Sequence, residues 1–137
     1  MFILDTNVIS ELRTGKPDPC EAVVRWSKLQ LASQLFLSVV TVFELEKGVL
    51  LLERRTPPEG RNLRLWLENV KFKFADRVLP YTVETATVCA SLHVPNPKPE
   101  RDAMIAATAL AHKFTVVTRN VADFAHMGVG LVNPWQD

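Results

Sequence analysis

The sequence predicts an α/β fold with a mostly parallel central sheet, and three observations carry that expectation. Strand-like and helix-like patterns alternate from one end of the chain to the other, as parallel strands joined by helical crossovers require. The first strand candidate, Phe2-Ile3-Leu4, is short and wholly apolar, as expected when both faces of a strand are covered. Hydrophobic residues make up 47% of the 137, enough for a packed core in a chain whose length suits a single domain over 1–137.

After the first strand, Thr6 to about Arg13 reads as a helix closed by Thr14-Gly15-Lys16-Pro17. A second helix runs from Pro19 or Cys20 to Leu29, with Pro19 suited to its first position. Leu35-Phe36-Leu37 is the next strand and Val40 to Arg55 the next helix. Thr56-Pro57-Pro58-Glu59-Gly60 reads as a helix–helix turn. Beyond it Leu63, Trp66, Leu67, Val70 and Phe74 recur at the spacing of one helix face. Val78-Leu79-Pro80 is a strand cut short by its proline. A helix from Thr82 or Thr85 to about His93 follows, then the rigid loop Val94-Pro95-Asn96-Pro97-Lys98-Pro99. The helix Glu100 to Lys113, the strand Thr115-Val116-Val117 and a last apolar stretch Gly130-Leu131-Val132 complete the pattern.

Composition narrows the function. Sixteen Lys and Arg against fifteen Asp and Glu give a formal charge of +1, so no global field draws nucleic acid and any such binding needs a local patch. Residues 53–77 are modestly basic, with seven Lys/Arg against four acids, and the remainder is slightly acidic. Cys20 and Cys89 stand alone without zinc-ligand spacing, which fits a reducing cytoplasm. No apolar run reaches membrane-helix length, and Asp5 interrupts the one that opens the chain. A small cytoplasmic domain without a membrane partner is expected. Lys71-Phe72-Lys73-Phe74 has the basic–aromatic interleaving of single-strand binders, but Phe74 lies on the apolar helix face, which favours a packed helix. His93, His112 and His126 belong to no ligand or nucleophile spacing.

Three carboxylates stand out. Asp5 ends the first strand, Glu44 lies one turn into the helix after Leu35-Phe36-Leu37, and Asp102 opens the helix before the Thr115 strand. In a parallel sheet all three emerge at one edge, where open α/β folds place their sites. Each has an ordinary reading as well. Asp5 suits an N-cap, Thr41 and Glu44 fit a capping box, and Asp102 complements a helix dipole. Caps do not need to converge, whereas hard oxygen ligands for a cation such as Mg²⁺ do. Thr118, Asn120 and Asp123, directly after the strand Thr115-Val116-Val117, reach the same edge, with Asn120 also readable as a cap.

Asp5-Thr6-Asn7, then Glu44, then Asp102 with Ala106-Ala107-Thr108-Ala109, then Thr118-Arg119-Asn120 resembles the PIN-domain family, and more narrowly its VapC-type toxins of type II toxin–antitoxin pairs. Leu4 to Glu11 and Asn133-Pro134-Trp135 are similar to the FitB-like branch. The resemblance spans the whole chain. It departs at one place: Asn120 stands where the family often has an acid, which makes Asp123 the alternative fourth acidic group. The resemblance implies a PIN-like three-layer fold with a sheet of about five strands, Mg²⁺- or Mn²⁺-dependent endoribonuclease activity, and homodimers. It also implies a cognate VapB-type antitoxin whose complex binds promoter DNA, the toxin reaching that DNA only through its partner.

For such chemistry Asp5, Glu44 and Asp102 are the expected metal ligands, with Asp102 or Asp123 accepting a proton. Thr6 and Asn7 would orient Asp5 or touch phosphate, and Thr118 and Asn120 offer further donors. Two rivals remain. Asp5-Thr6-Asn7-Val8 is a near miss to the D-x-D start of haloacid-dehalogenase-type phosphatases, with Asn7 in place of the acid/base Asp. The other is a non-catalytic partner in an antitoxin–DNA repressor complex.

Overall fold

A computed structural model describes residues 1–136. Five strands form one parallel sheet: β1 (Phe2–Leu4), β2 (Leu35–Ser38), β3 (Val78–Leu79), β4 (Thr115–Val117) and β5 (Leu131–Val132). Their order is β3-β2-β1-β4-β5. The chain therefore steps outward from β1 to β3, then crosses back to lay β4 on the other side of β1. That reversal makes a switch point at the C-terminal ends of β1 and β4, where the following loops diverge.

Seven helices cover both faces: α1 (Thr6–Glu11), α2 (Glu21–Lys28), α3 (Val39–Arg55), α4 (Pro57–Lys73), α5 (Val83–Leu92), α6 (Glu100–His112) and α7 (Val121–Phe124). Strand alternation divides the core in two. Ile3 and Val116 point into a cluster with Ile105, Ala106, Phe124 and Met127, under α5, α6 and α7. Leu4, Leu37 and Val117 point the other way, onto Val8, Val23, Val49 and Leu67 of α1 to α4. Both faces of the central strands β1 and β4 are buried, which is why they read as unbroken apolar runs, while β3 and β5 at the sheet edges are only half-buried.

Four local expectations are corrected. Pro57-Pro58-Glu59-Gly60 is the first turn of α4 rather than a turn between helices; Thr56 alone separates α3 from α4. Proline fits a first turn because its missing N–H has no helical partner there. Gly60 serves packing, since a Cβ there would strike the backbone of Glu53 across the hairpin. The second correction is at α2, where Cys20 is the N-cap and Pro19 precedes it. The third is at α3: Ser38 caps it, its hydroxyl accepting from Val40 N at 3.0 Å, while the capping-box candidate Thr41 is fully buried. α1 also ends at Glu11, two residues short of the expected Arg13. Trp135 packs against the second core cluster as a C-terminal anchor, and Phe74 does so from α4. Cys20 and Cys89 are unpaired. No helix among the described residues is long and apolar enough to cross a membrane.

Candidate functional site

The C-terminal sheet edge gathers the candidate residues from four elements. Asp5 follows β1, its backbone N–H donating to Val117 of β4 at 2.9 Å, so its side chain is fixed where the two central strands end. The carboxylate is buried, at 5% exposure. Its Oδ1 accepts from Thr6 N at 2.8 Å, and its Oδ2 accepts from the Thr118 hydroxyl at 2.8 Å and Asn7 Nδ2 at 3.2 Å. Asp5 is thus both an N-cap and a strongly held carboxylate. Its pKa is nevertheless raised: burial outweighs the donors, and the nearby Glu44 charge adds to the rise.

Thr118 is fully buried and is the hinge of this arrangement. Its one hydroxyl proton goes to Asp5, while its lone pairs accept from Asn7 Nδ2 at 3.4 Å and Asn120 N at 3.0 Å. Asn7 Oδ1 in turn accepts from Arg119 N at 3.3 Å, which ties the start of α1 to the loop after β4. Thr6 holds Asp5 through its backbone and serves a second carboxylate with its side chain. Its hydroxyl donates to Glu44 Oε1 at 2.8 Å, so it orients Glu44, while only its backbone serves Asp5. Glu44 Oε2 faces Arg101 Nη1 at 3.5 Å.

Asp102, in the first turn of α6, takes no hydrogen bond from any described residue. Burial, then the charges of Asp5, Asp123 and Glu44, push its pKa up to about 6. A carboxylate this uncomfortable in the company of three others is the electrostatic signature of a functional site. Asp123, exposed in the first turn of α7, completes the acidic group. Asn120 is the N-cap residue of α7, but its side chain makes no capping bond; its backbone N–H, held by Thr118, is what joins it to the site.

The chemistry of this donor set fits a hard divalent cation. All four groups are carboxylate oxygens, and they share a mutual repulsion that a cation relieves. No three acidic, His or Cys side chains among the described residues are drawn tightly enough to enclose an ion by themselves. Mg²⁺ keeps several waters and takes only one or two carboxylates directly, so a site for it would be completed by water. Beside Thr6 and Glu44 opens a cleft of about 640 Å³, walled by Ser10, Arg13, Asn62 and Trp66.

Sequence reasoning missed Arg101 as the partner of Glu44. A signal was present: a cation in a first helical turn opposes the helix dipole, so it needs an anion elsewhere.

The model of the PIN domain family matches residues 2–129. The chain is 34% identical to VapC ribonuclease Y4jK of Sinorhizobium fredii, covering 99% of each protein. It is 36% identical to Toxin FitB of Neisseria gonorrhoeae over the full length of both. The crystal structure of FitAcB from Neisseria gonorrhoeae superposes with a TM-score of 0.91 at 35% identity, covering all of both chains. A VapBC2 structure from Rickettsia felis, at 19% identity and a TM-score of 0.74 over 96% of this chain and 97% of that one, shares the fold. A family model spanning most of the chain, together with full-length relatives at 34% and 36% identity, shows that the protein belongs to the PIN-domain family, in its VapC- and FitB-like branch.

Proposed function

We propose that this chain, as one PIN-like domain over 1–137, is the toxin of a type II toxin–antitoxin pair and a Mg²⁺- or Mn²⁺-dependent endoribonuclease. The observation that carries the reading is the meeting of Asp5, Glu44, Asp102 and Asp123 at one sheet edge, with the Asp102 pKa raised to about 6 by burial and then by the other three charges. Relatives named as a VapC ribonuclease and as Toxin FitB support the assignment. In this reading Asp5, Glu44 and Asp102 hold the cation. When bound, it lowers the pKa of a coordinated water and shields the phosphate charge.

The protein's own groups do the rest. Thr118 and Asn7 lock Asp5 in one orientation, and Thr6 does the same for Glu44, so the ligands are set before substrate arrives. Either Asp102 or Asp123 takes a proton from the attacking water in this reading. Asn120, exposed beside them, offers an amide to phosphate. In-line attack by water leaves a 5′-phosphate and a 3′-hydroxyl.

Solved relatives are toxin–antitoxin complexes, one of them FitAB bound to a DNA fragment. By that likeness the partner here is a VapB-type antitoxin and promoter DNA is reached only through the complex; a homodimer working in the cytoplasm belongs to the same proposal. An antitoxin Arg or Lys entering the acidic edge would silence it by occupying the carboxylates. Purified protein should cleave RNA with Mg²⁺ and not with chelator, leaving 5′-phosphate ends, and should leave small phosphate esters intact. Antitoxin binding without any RNA cleavage would favour the non-catalytic repressor role instead.

A further inference from the structure

We infer that Arg101 is a substrate-binding residue held in reserve: it neutralises Glu44 while the site lacks its cation, and it takes an RNA phosphate once that cation binds. The inference rests on the nuclease reading above. Glu44 divides its two oxygens between different partners. Oε1 is fixed inward by Thr6 at 2.8 Å, whereas Oε2 faces only Arg101, at 3.5 Å. Among the described residues Glu44 is the one carboxylate Arg101 pairs with, and the contact is loose and open to water, with the arginine side chain 45% exposed. Pairs of this kind contribute little and break readily.

The guanidinium is nonetheless held in place. It lies over the Phe43 ring, 5.1 Å from its centre, one position before Glu44 on α3. Phe43 and Tyr81 are exposed aromatics that wall, with Arg101, a shallow cavity of about 360 Å³ on this side of the acidic edge. If Glu44 held a divalent cation, Arg101 would lose the anion it balances. The arginine is then left at the rim as an unpaired, planar donor, the form that grips phosphate best. Stacking on Phe43 preserves its position through the exchange.

The test uses the full chain and two variants, Arg101→Gln and Arg101→Lys, with two readouts. Calorimetric Mg²⁺ binding without RNA should be about threefold tighter for Arg101→Gln, because the competitor for Glu44 is gone. Binding of a mixed-sequence 2′-O-methyl RNA oligonucleotide in constant Mg²⁺ should weaken, and its slope of log affinity against log salt should fall by about 0.7, the loss of one phosphate contact on a single strand. Arg101→Lys should keep the wild-type salt slope. Unchanged or weaker Mg²⁺ binding by Arg101→Gln would overturn the counter-ion role, and an unchanged salt slope would overturn the phosphate role. Failure of the wild type to bind Mg²⁺ at all would instead overturn the nuclease reading on which this one depends.

Discussion

Asp5 and Asp102 carry the same charge at the same sheet edge, yet their surroundings give them opposite responses to substitution. Asp5 is met by three donors, so Asp5→Asn turns an amide towards the Thr118 hydroxyl and Asn7 Nδ2, where only an acceptor fits. A buried mismatch of that kind should cost about 1–3 kcal/mol, measurable by denaturant unfolding in chelator. As a simple cap, Asn would have served nearly as well as Asp. Asp102 has no donor to lose and three like charges to escape. Asp102→Asn should therefore leave stability in chelator unchanged or higher, where a dipole-only role would cost about 0.3–1 kcal/mol. Its pH dependence has the sign opposite to that of a salt-bridged acid. Because the folded pKa of about 6 lies above the ordinary 3.8, the folded state binds the proton more tightly. Metal-free protein should gain stability as pH falls through about 6, and Asp102→Asn should flatten that gain. Excess Mg²⁺ should reverse the trend, since protons then compete with the cation. The three carboxylates were legible in the sequence because each follows an apolar strand or opens a patterned helix. That the Thr6 hydroxyl serves Glu44 was not, because which hydroxyl reaches which carboxylate depends on how α1, α3 and β4 meet.

The pairing of α3 with α4 is where local chemistry and packing part company. Proline and glycine in Pro57-Pro58-Glu59-Gly60 are turn residues by composition, yet here they open a helix. Gly60 faces the backbone of Glu53, so Gly60→Ala forces the two helices apart and should destabilise by about 1–3 kcal/mol. Gly48, on α3 beside the cleft, meets nothing within 4 Å. Gly48→Ala should stabilise by roughly 0.5–1 kcal/mol through helix propensity alone. Thermal unfolding of both variants checks the pair, and similar signs for the two would contradict the packing account. Most elements were readable because apolar period and punctuation agreed, as at Phe2-Ile3-Leu4 and across Leu63 to Phe74. The Pro57 turn misled because only a partner helix reveals that Gly60 is needed for close approach. Ser38, too, displaced Thr41 as the cap because burial of Thr41 under α1 is a tertiary fact.

At the scale of the molecule, strand order does the functional work. Placing β4 beside β1, after the chain has stepped out to β3, brings Thr118 against Asp5 and carries Asp102 in on the crossover. Residues far apart in sequence thereby share one acidic edge in a chain whose net charge is only +1. If that edge holds Mg²⁺, the ion should raise thermal stability by preferential binding to the folded state, roughly 2.7 kcal/mol at a hundredfold excess over Kd. Light scattering should find the isolated chain dimeric at micromolar concentration, and its antitoxin should suppress both the Mg²⁺ response and RNA cleavage; a monomer indifferent to the antitoxin would remove the toxin assignment. The most direct measurement sets wild type beside Asp102→Asn, each with chelator and with Mg²⁺, in thermal unfolding and RNA cleavage. The expected result is a wild type stabilised by Mg²⁺ and active only with it, against a folded variant that loses both the Mg²⁺ stabilisation and the cleavage. A variant that keeps full cleavage and the full Mg²⁺ response would contradict the metal-dependent site at this sheet edge.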